Sequence, residues 1–288
     1  MNLGGLVGGT PLIKLSDKLY AKFETYNPSG SIKDRIAYFI LKRAEERGKL
    51  QPGDTIVEAT SGNTGIATAM FGANMGYRVM IVMPCNMSEE RKQMMRLFGA
   101  EVIEVDAGDF DGAIAMRDSI CQDPGFFNFN QFHNPDNIAC HYETTGVEIL
   151  EQTKGLPVAA FLDGTGTGGT LMGVSARLKE RYPNIKTLAI EPAESPVMSG
   201  GEAGLHGIQG IGDGSKFLVD LDKVHEILLV KTNDAIKRMK QLHQRGLLVG
   251  ISSGANVLAS ERWIDNNNPD GVVVTILCDR GERYLSCL

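Results

Sequence analysis

Val158-Ala159-Ala160-Phe161-Leu162-Asp163-Gly164-Thr165-Gly166-Thr167-Gly168-Gly169-Thr170 is the stretch on which the fold turns. Its apolar first half reads as a buried strand, the Gly/Thr run as a tight loop, and residues 169–181 as the helix that follows. Residues 186–191 then read as a second strand. Strand, helix and strand in succession make a βαβ unit, which requires parallel strands. The same alternation extends in both directions. Further strands are expected at 55–59, 78–83, 101–105, 227–230 and 272–278. Helices are expected at 36–47, 63–75, 88–98, 111–121, 136–152, 233–245 and 255–266. This pattern predicts an α/β protein built on parallel sheets, and 288 residues suggest two domains or one large one. The glycine-rich stretch 194–222 is too long for a plain connection, so it is expected to be functional.

Composition narrows the function. Hydrophobic residues are 42% and charged residues 22%, as in an ordinary globular protein rather than a disordered or fibrous one. The net charge of −6 argues against nucleic acid as a partner. No apolar run is long enough to span a membrane, and the glycine-rich start lacks the basic region of a signal peptide. Five cysteines (Cys85, Cys121, Cys140, Cys278, Cys287) are an odd number without CxxC spacing, which predicts reduced thiols in the cytoplasm. No HExxH or Cys/His cluster occurs, so no metal site is expected.

Three loops lead from apolar stretches into helices. Gly164–Thr170 offers successive backbone N–H groups at a helix start, suited to a phosphate. It also satisfies GxGxxG, with Glu191 where a dinucleotide fold would place its ribose carboxylate, so an NAD-binding Rossmann enzyme is one reading. No GK[ST] follows, which disfavours a P-loop. Glu58-Ala59-Thr60-Ser61-Gly62-Asn63-Thr64-Gly65 carries four polar residues at a helix start, more than a cap needs, and suits a carboxylate. Gly250-Ile251-Ser252-Ser253-Gly254-Ala255-Asn256 is the third. Upstream, Asn27-Pro28-Ser29-Gly30-Ser31-Ile32-Lys33-Asp34-Arg35 reads as a capping box, Ser31 with Asp34, with Lys33 in the first turn. There the helix dipole favours a neutral amine, as a Schiff-base lysine requires; a solvated lysine paired with Asp34 is the alternative.

Taken together, these segments resemble the cysteine synthase (O-acetylserine sulfhydrylase)/cystathionine β-synthase family of fold-type II pyridoxal-phosphate enzymes. The matching motifs span nearly the whole chain: Gly8-Gly9-Thr10-Pro11-Leu12, the lysine segment, the three loops, Gln131-Phe132-His133-Asn134-Pro135, Thr144-Thr145-Gly146, the 207–214 loop and Glu282-Arg283-Tyr284-Leu285-Ser286. The resemblance implies two doubly wound, tryptophan synthase β-like α/β domains with pyridoxal 5′-phosphate in the interdomain cleft. A smaller mobile domain would comprise residues 34–139, and a larger cofactor-binding domain residues 1–33 and 140–288. It implies that Lys33 carries the cofactor and removes the substrate α-proton. Gly166, Thr167, Gly168, Gly169 and Thr170 would hold the phosphate. Asn63 would meet the ring hydroxyl and Ser252 the pyridine nitrogen. Thr60, Ser61, Thr64 and Gln131 would bind the substrate carboxylate. The implied reaction is β-replacement through an aminoacrylate, O-acetyl-L-serine plus sulfide giving L-cysteine plus acetate. The implied assembly is a homodimer, with a serine acetyltransferase as a further partner.

One position departs from the family pattern. Asp213, within Gly210-Ile211-Gly212-Asp213-Gly214, stands where a small apolar residue is common. A carboxylate there could activate water, so the second expectation is a lyase that converts cysteine to serine and releases hydrogen sulfide. A surface Asp in a glycine turn is the alternative. Thr165 also replaces a commonly apolar residue.

Overall fold

A computed structural model of the protein describes residues 3–287. Met1, Asn2, Leu288 and the side chain of Cys287 lie outside the described residues, and so does the expectation that Cys287 is a free thiol. Cys85, Cys121, Cys140 and Cys278 are free thiols. In chain order the elements are β1 (Leu12–Lys14), β2 (Leu19–Phe23), α1 (Lys33–Glu46), β3 (Thr55–Ala59), α2 (Asn63–Met75), β4 (Arg78–Pro84), α3 (Glu89–Leu97), β5 (Glu101–Val105), α4 (Phe110–Ile120) and β6 (Phe126–Asn128). There follow α5 (Pro135–Glu143), α6 (Thr145–Gln152), β7 (Val158–Gly164), α7 (Gly169–Lys179), β8 (Lys186–Pro192), β9 (Glu226–Val230), α8 (Thr232–Gln244), α9 (Ile251–Asn267) and β10 (Val272–Leu277).

These elements form two compact units. Among the described residues, the first comprises 3–7, Asn27–Asp136 and 283–287. It holds a parallel sheet of order β5-β4-β3-β6, with Val57 opposite Met80 and Asn128. All five residues of β3 are buried, which a parallel strand achieves only when helices cover both sheet faces. Val57, Ala59, Val82 and Ala113 form a core that Ile103, Ile114 and Phe126 extend.

The second unit comprises Gly8–Tyr26 and Asn137–Glu282. Its sheet has the order β1-β2-β10-β7-β8-β9, parallel except for β1. β10 is buried along its whole length and pairs with β2 on one side and β7 on the other. In both sheets the candidate loops leave the carboxyl ends of strands β3 and β7 and enter helices α2 and α7. That is where open α/β sheets bind ligands.

The expected α/β architecture is present, with local differences. The stretch 136–152 is two helices rather than one: the Thr144 hydroxyl donates to Cys140 O at 2.7 Å, and the chain turns there before α6. α9 begins at Ile251, not Ala255, which places Ser252 and Ser253 in its first turn. Gly254 is accommodated because α8 lies against it: a Cβ there would come 2.3 Å from Ala235 O.

Candidate active site

In the first unit, Lys33 opens α1 and is half-buried. The capping box is not the one expected. The cap position is Ile32, and Asp34 reaches past Ser31 to accept from Ser29 N at 2.5 Å and from the Ser29 hydroxyl. Ser31 Oγ accepts from Lys33 N at 3.3 Å. A fully buried Asp34 cannot remain without donors, so the loop before Lys33 closes around it.

The loop before α2 is braced from beneath. Thr60 is buried and its Oγ1 accepts from Gly62 N at 3.1 Å, which turns the chain into the helix. Thr64 donates to Gln131 Oε1 at 2.6 Å, and Gln131 Nε2 donates to Ala59 O at 3.1 Å. Two of the four residues expected to bind the substrate carboxylate, Thr64 and Gln131, are thus bonded to each other, while Thr60 shapes the turn of the loop. Ser61 is half-buried on the same loop.

Glu58, the first residue of the same motif, supports this arrangement in a way its sequence position does not signal. It is fully buried, and its Oε2 accepts from Gln131 N at 3.1 Å. Burial pushes its carboxyl up to about 7, against the opposing pull of the Arg117 guanidinium 3.6 Å away. Arg117, also buried, is shared with Asp118 at 2.7 Å. Asn63 is held by another residue to which the sequence assigned no role: Arg283 Nη1 donates to Asn63 Oδ1 at 2.5 Å.

In the second unit, the loop 164–170 is braced mainly by amides and hydroxyls. Asn256 Oδ1 accepts from Gly164 N at 2.8 Å, while its Nδ2 donates to Ile276 O at 2.9 Å and Asp163 Oδ1 at 3.2 Å. One buried amide therefore fastens the ends of β7 and β10 to the start of the loop. Asn137 Nδ2 donates to Thr167 Oγ1 at 3.0 Å, and the Thr170 hydroxyl meets His141 Nε2 at 3.2 Å. Thr165 is satisfied by Ile190 O, which receives its N–H at 3.0 Å and its hydroxyl at 3.2 Å.

The residues present fit a phosphate-bearing cofactor. Gly168 adopts φ +86°, and a Cβ there would lie 2.5 Å from Val219 Cγ2, so only glycine makes this turn. The turn leads into the start of α7, where the first N–H groups have no intrahelical acceptor, as anion binding requires. Ser252 is a buried hydroxyl in the first turn of α9. The 207–219 segment lies over the loop through Gly212 N to Thr165 O (2.9 Å) and Leu218 N to Thr167 O (3.1 Å). Asp213 is half-buried in that segment, and a Cβ on Gly166 would come 3.5 Å from its Oδ2. The carboxylate therefore stands beside the Gly/Thr loop.

Glu191, the acid on which a dinucleotide reading depends, is committed elsewhere. It is buried and accepts from Met198 N (2.8 Å), Ser199 N (2.9 Å) and Ser199 Oγ (2.6 Å). Among the described residues, no group of three His, Cys, Asp or Glu is placed to hold a metal ion, and no helix is long and apolar enough to cross a membrane.

A family model described as pyridoxal-phosphate dependent enzyme matches residues 3–279. Among curated proteins, the chain is 42% identical to a cysteine synthase of Staphylococcus aureus over 295 residues, which is 99% of this chain and 95% of that one. Among solved structures it is similar to a hydrogen sulfide-producing enzyme from Fusobacterium nucleatum, with a TM-score of 0.94 and 41% identity over 99% of this chain and 89% of that one. It is also similar to a cysteine synthase from Entamoeba histolytica, with a TM-score of 0.92 and 40% identity over 99% of this chain and 89% of that one.

Proposed function

The chain belongs to the pyridoxal-phosphate dependent enzyme family, and from that premise we propose that it is a cysteine synthase: O-acetyl-L-serine plus sulfide gives L-cysteine plus acetate. Pyridoxal phosphate, when bound, supplies the electron sink that acidifies the substrate Cα–H and lets the Cβ substituent leave. Lys33 Nζ holds the cofactor and then takes the Cα proton. Gly166, Thr167, Gly168, Gly169 and Thr170 bind the phosphate. Asn63 donates to the ring hydroxyl. Thr60, Ser61, Thr64 and Gln131 orient the substrate through its α-carboxylate. Ser252 meets the pyridine nitrogen as a neutral hydroxyl, which cannot hold a proton there as a carboxylate would and so favours loss of the β-substituent. Sulfide is a strong nucleophile near neutral pH and needs no base to add at Cβ.

The observation that carries this reading is the braced polar loop at the start of α2, with Thr64 and Gln131 locked 2.6 Å apart, in a chain that shares 42% of its residues with a cysteine synthase. The same reading extends to a cytoplasmic homodimer, to a serine acetyltransferase as protein partner, and to residues 34–139 as the smaller, mobile domain.

A second reading is favoured by Asp213. Its carboxylate beside Gly166 suits a base that takes a proton from water, so that hydroxide adds at Cβ after the thiol of cysteine has left as sulfide. The products are serine and hydrogen sulfide. Cofactor-loaded protein should be given O-acetyl-L-serine with sulfide, and separately cysteine alone, with cysteine, serine and sulfide quantified. Synthesis without sulfide release supports the first reading. Sulfide release that falls about 10²-fold or more in Asp213→Asn establishes the second. Turnover of neither substrate refutes both.

A further inference from the structure

We propose that Arg283 is a positioning residue that fixes which face Asn63 turns to the cofactor ring; this rests on the assignment of Asn63 made above. Arg283 lies in the C-terminal 3-10 helix Gly281–Cys287 and is 1% exposed. Its Nη1 donates to Asn63 Oδ1 at 2.5 Å and its Nη2 to Ser29 O. A guanidinium has only donors, so the Asn63 atom that meets it must be the carbonyl oxygen. Flipping the amide would set NH2 against a buried cation and lose a charge-assisted bond. With its oxygen committed, Asn63 has Nδ2, a donor, on its other arm. A donor is what the ring oxygen of pyridoxal phosphate requires when it is ionised; a carbonyl there would oppose ionisation.

The arginine is itself anchored at several points. Ser88 Oγ donates to Arg283 O at 3.1 Å. Arg91 Nη2 donates to Tyr284 OH at 2.9 Å, and its guanidinium lies 4.8 Å from that ring centre. Ser286 N and Oγ donate to Glu90 at 2.9 and 2.7 Å. Ser29 O, the second acceptor, lies four residues before Lys33. One guanidinium therefore ties the loop that carries the lysine to the loop that carries the asparagine. A simple brace for the C-terminal segment would need only the contacts of Tyr284 and Ser286. The fork of Arg283 goes further, to the two loops assigned to the cofactor.

The test is the absorbance spectrum and cofactor affinity of the loaded protein in Arg283→Met, Arg283→Lys and Asn63→Ala. An ionised ring oxygen absorbs at longer wavelength than a neutral one. Arg283→Met should shift absorbance from the longer- to the shorter-wavelength band and weaken cofactor binding about tenfold. Asn63→Ala should shift the band in the same direction. Arg283→Lys, with a point charge in place of the fork, should show a smaller shift, and it carries the test should Arg283→Met not fold. If Asn63→Ala leaves the spectrum unchanged, the assignment of Asn63 falls and the proposal with it. If Asn63→Ala shifts the band while Arg283→Met, or Arg283→Lys in its place, leaves spectrum and affinity unchanged, the proposal alone is overturned and Arg283 is a clamp for the C-terminal segment.

Discussion

The loop before α2 and the loop before α7 do the same geometric job, turning a chain from a parallel strand into a helix start, but they are braced by opposite means. Beneath the first lie Glu58, Arg117 and Arg283, all buried and ionisable. Around the second the direct braces are mostly amides and hydroxyls, Asn137, Asn256 and the threonines, with His141 at Thr170 and one buried carboxylate, Asp163, behind Asn256. The lesson is electrostatic. A loop suited to a phosphate dianion draws its attraction from backbone N–H groups, which do not titrate, and the amide of Asn256 stands between its first residue and the buried Asp163 carboxylate. A loop suited to a substrate carboxylate must be held open and rigid, and a buried charged network does that at the cost of sensitivity to protons.

That contrast can be broken by measurement, and the largest effect belongs to Glu58. Its carboxyl is held up to about 7 by burial, against a reference value of 4.5. Below 4.5 it is protonated in both folded and unfolded chains, and the native state bears no cost of burying its charge. As pH rises through the folded value, that advantage is lost. Stability should therefore fall by about 3 kcal/mol between pH 4.5 and 7, at 1.36 kcal/mol per unit, and then level off. Urea unfolding across that range should show the fall in wild type and a flatter profile in Glu58→Gln. The same slope in both proteins would remove Glu58 as its source.

The second loop should respond to backbone geometry rather than to pH. Gly168→Ala forces a side chain into φ +86° and against Val219, a strain of about 1–3 kcal/mol. Cofactor affinity should drop about 10–100-fold at every pH tested, on equilibrium titration. A loss confined to one side of pH 7 would mean that this loop, too, depends on a titrating group.

Thr64→Val is the finest cut. It keeps the shape but removes the hydroxyl that donates to Gln131 Oε1, leaving that oxygen without this donor at a cost of about 1–3 kcal/mol. The KM for O-acetyl-L-serine should rise while cofactor affinity stays as in wild type. An effect on cofactor affinity instead would place Thr64 with the cofactor rather than the substrate.

How much of this could be read from sequence follows from how local each interaction is. The start of α7 was legible at Gly169 and both ends of α2 to the residue, because strand, turn and helix signals adjoin there. β1, β2 and β6 gave no signal: β1 and β6 are three residues each, too short for a period, and β2 mixes Lys22 into its apolar run and is a strand because of its partner β10, some 250 residues further on. The candidate residues Lys33, Thr60, Asn63, Gly166–Thr170 and Ser252 announced themselves through loop chemistry. Their braces did not. Arg283 acts on a residue 220 positions away, and Asn256 on one 92 positions away, so neither has a neighbour in sequence that betrays its role. Glu58 stands inside a legible motif, but burial of its carboxylate is a property of the packed sheet and leaves no mark in the local sequence.

The order of strands in the larger sheet carries a consequence for how the protein is made. β10, the strand that joins β2 to β7, leaves the ribosome after every other described strand. Until Leu277 has emerged, the nascent chain holds β2 and β7 as separate edges with unpaired backbone groups, the kind of surface that recruits stray strands. Residues 55–128, by contrast, supply all four strands of the smaller sheet in one continuous run. Synthesis thus delivers a complete small sheet early and keeps the large one open until Leu277 has followed, with Arg283 six residues behind it.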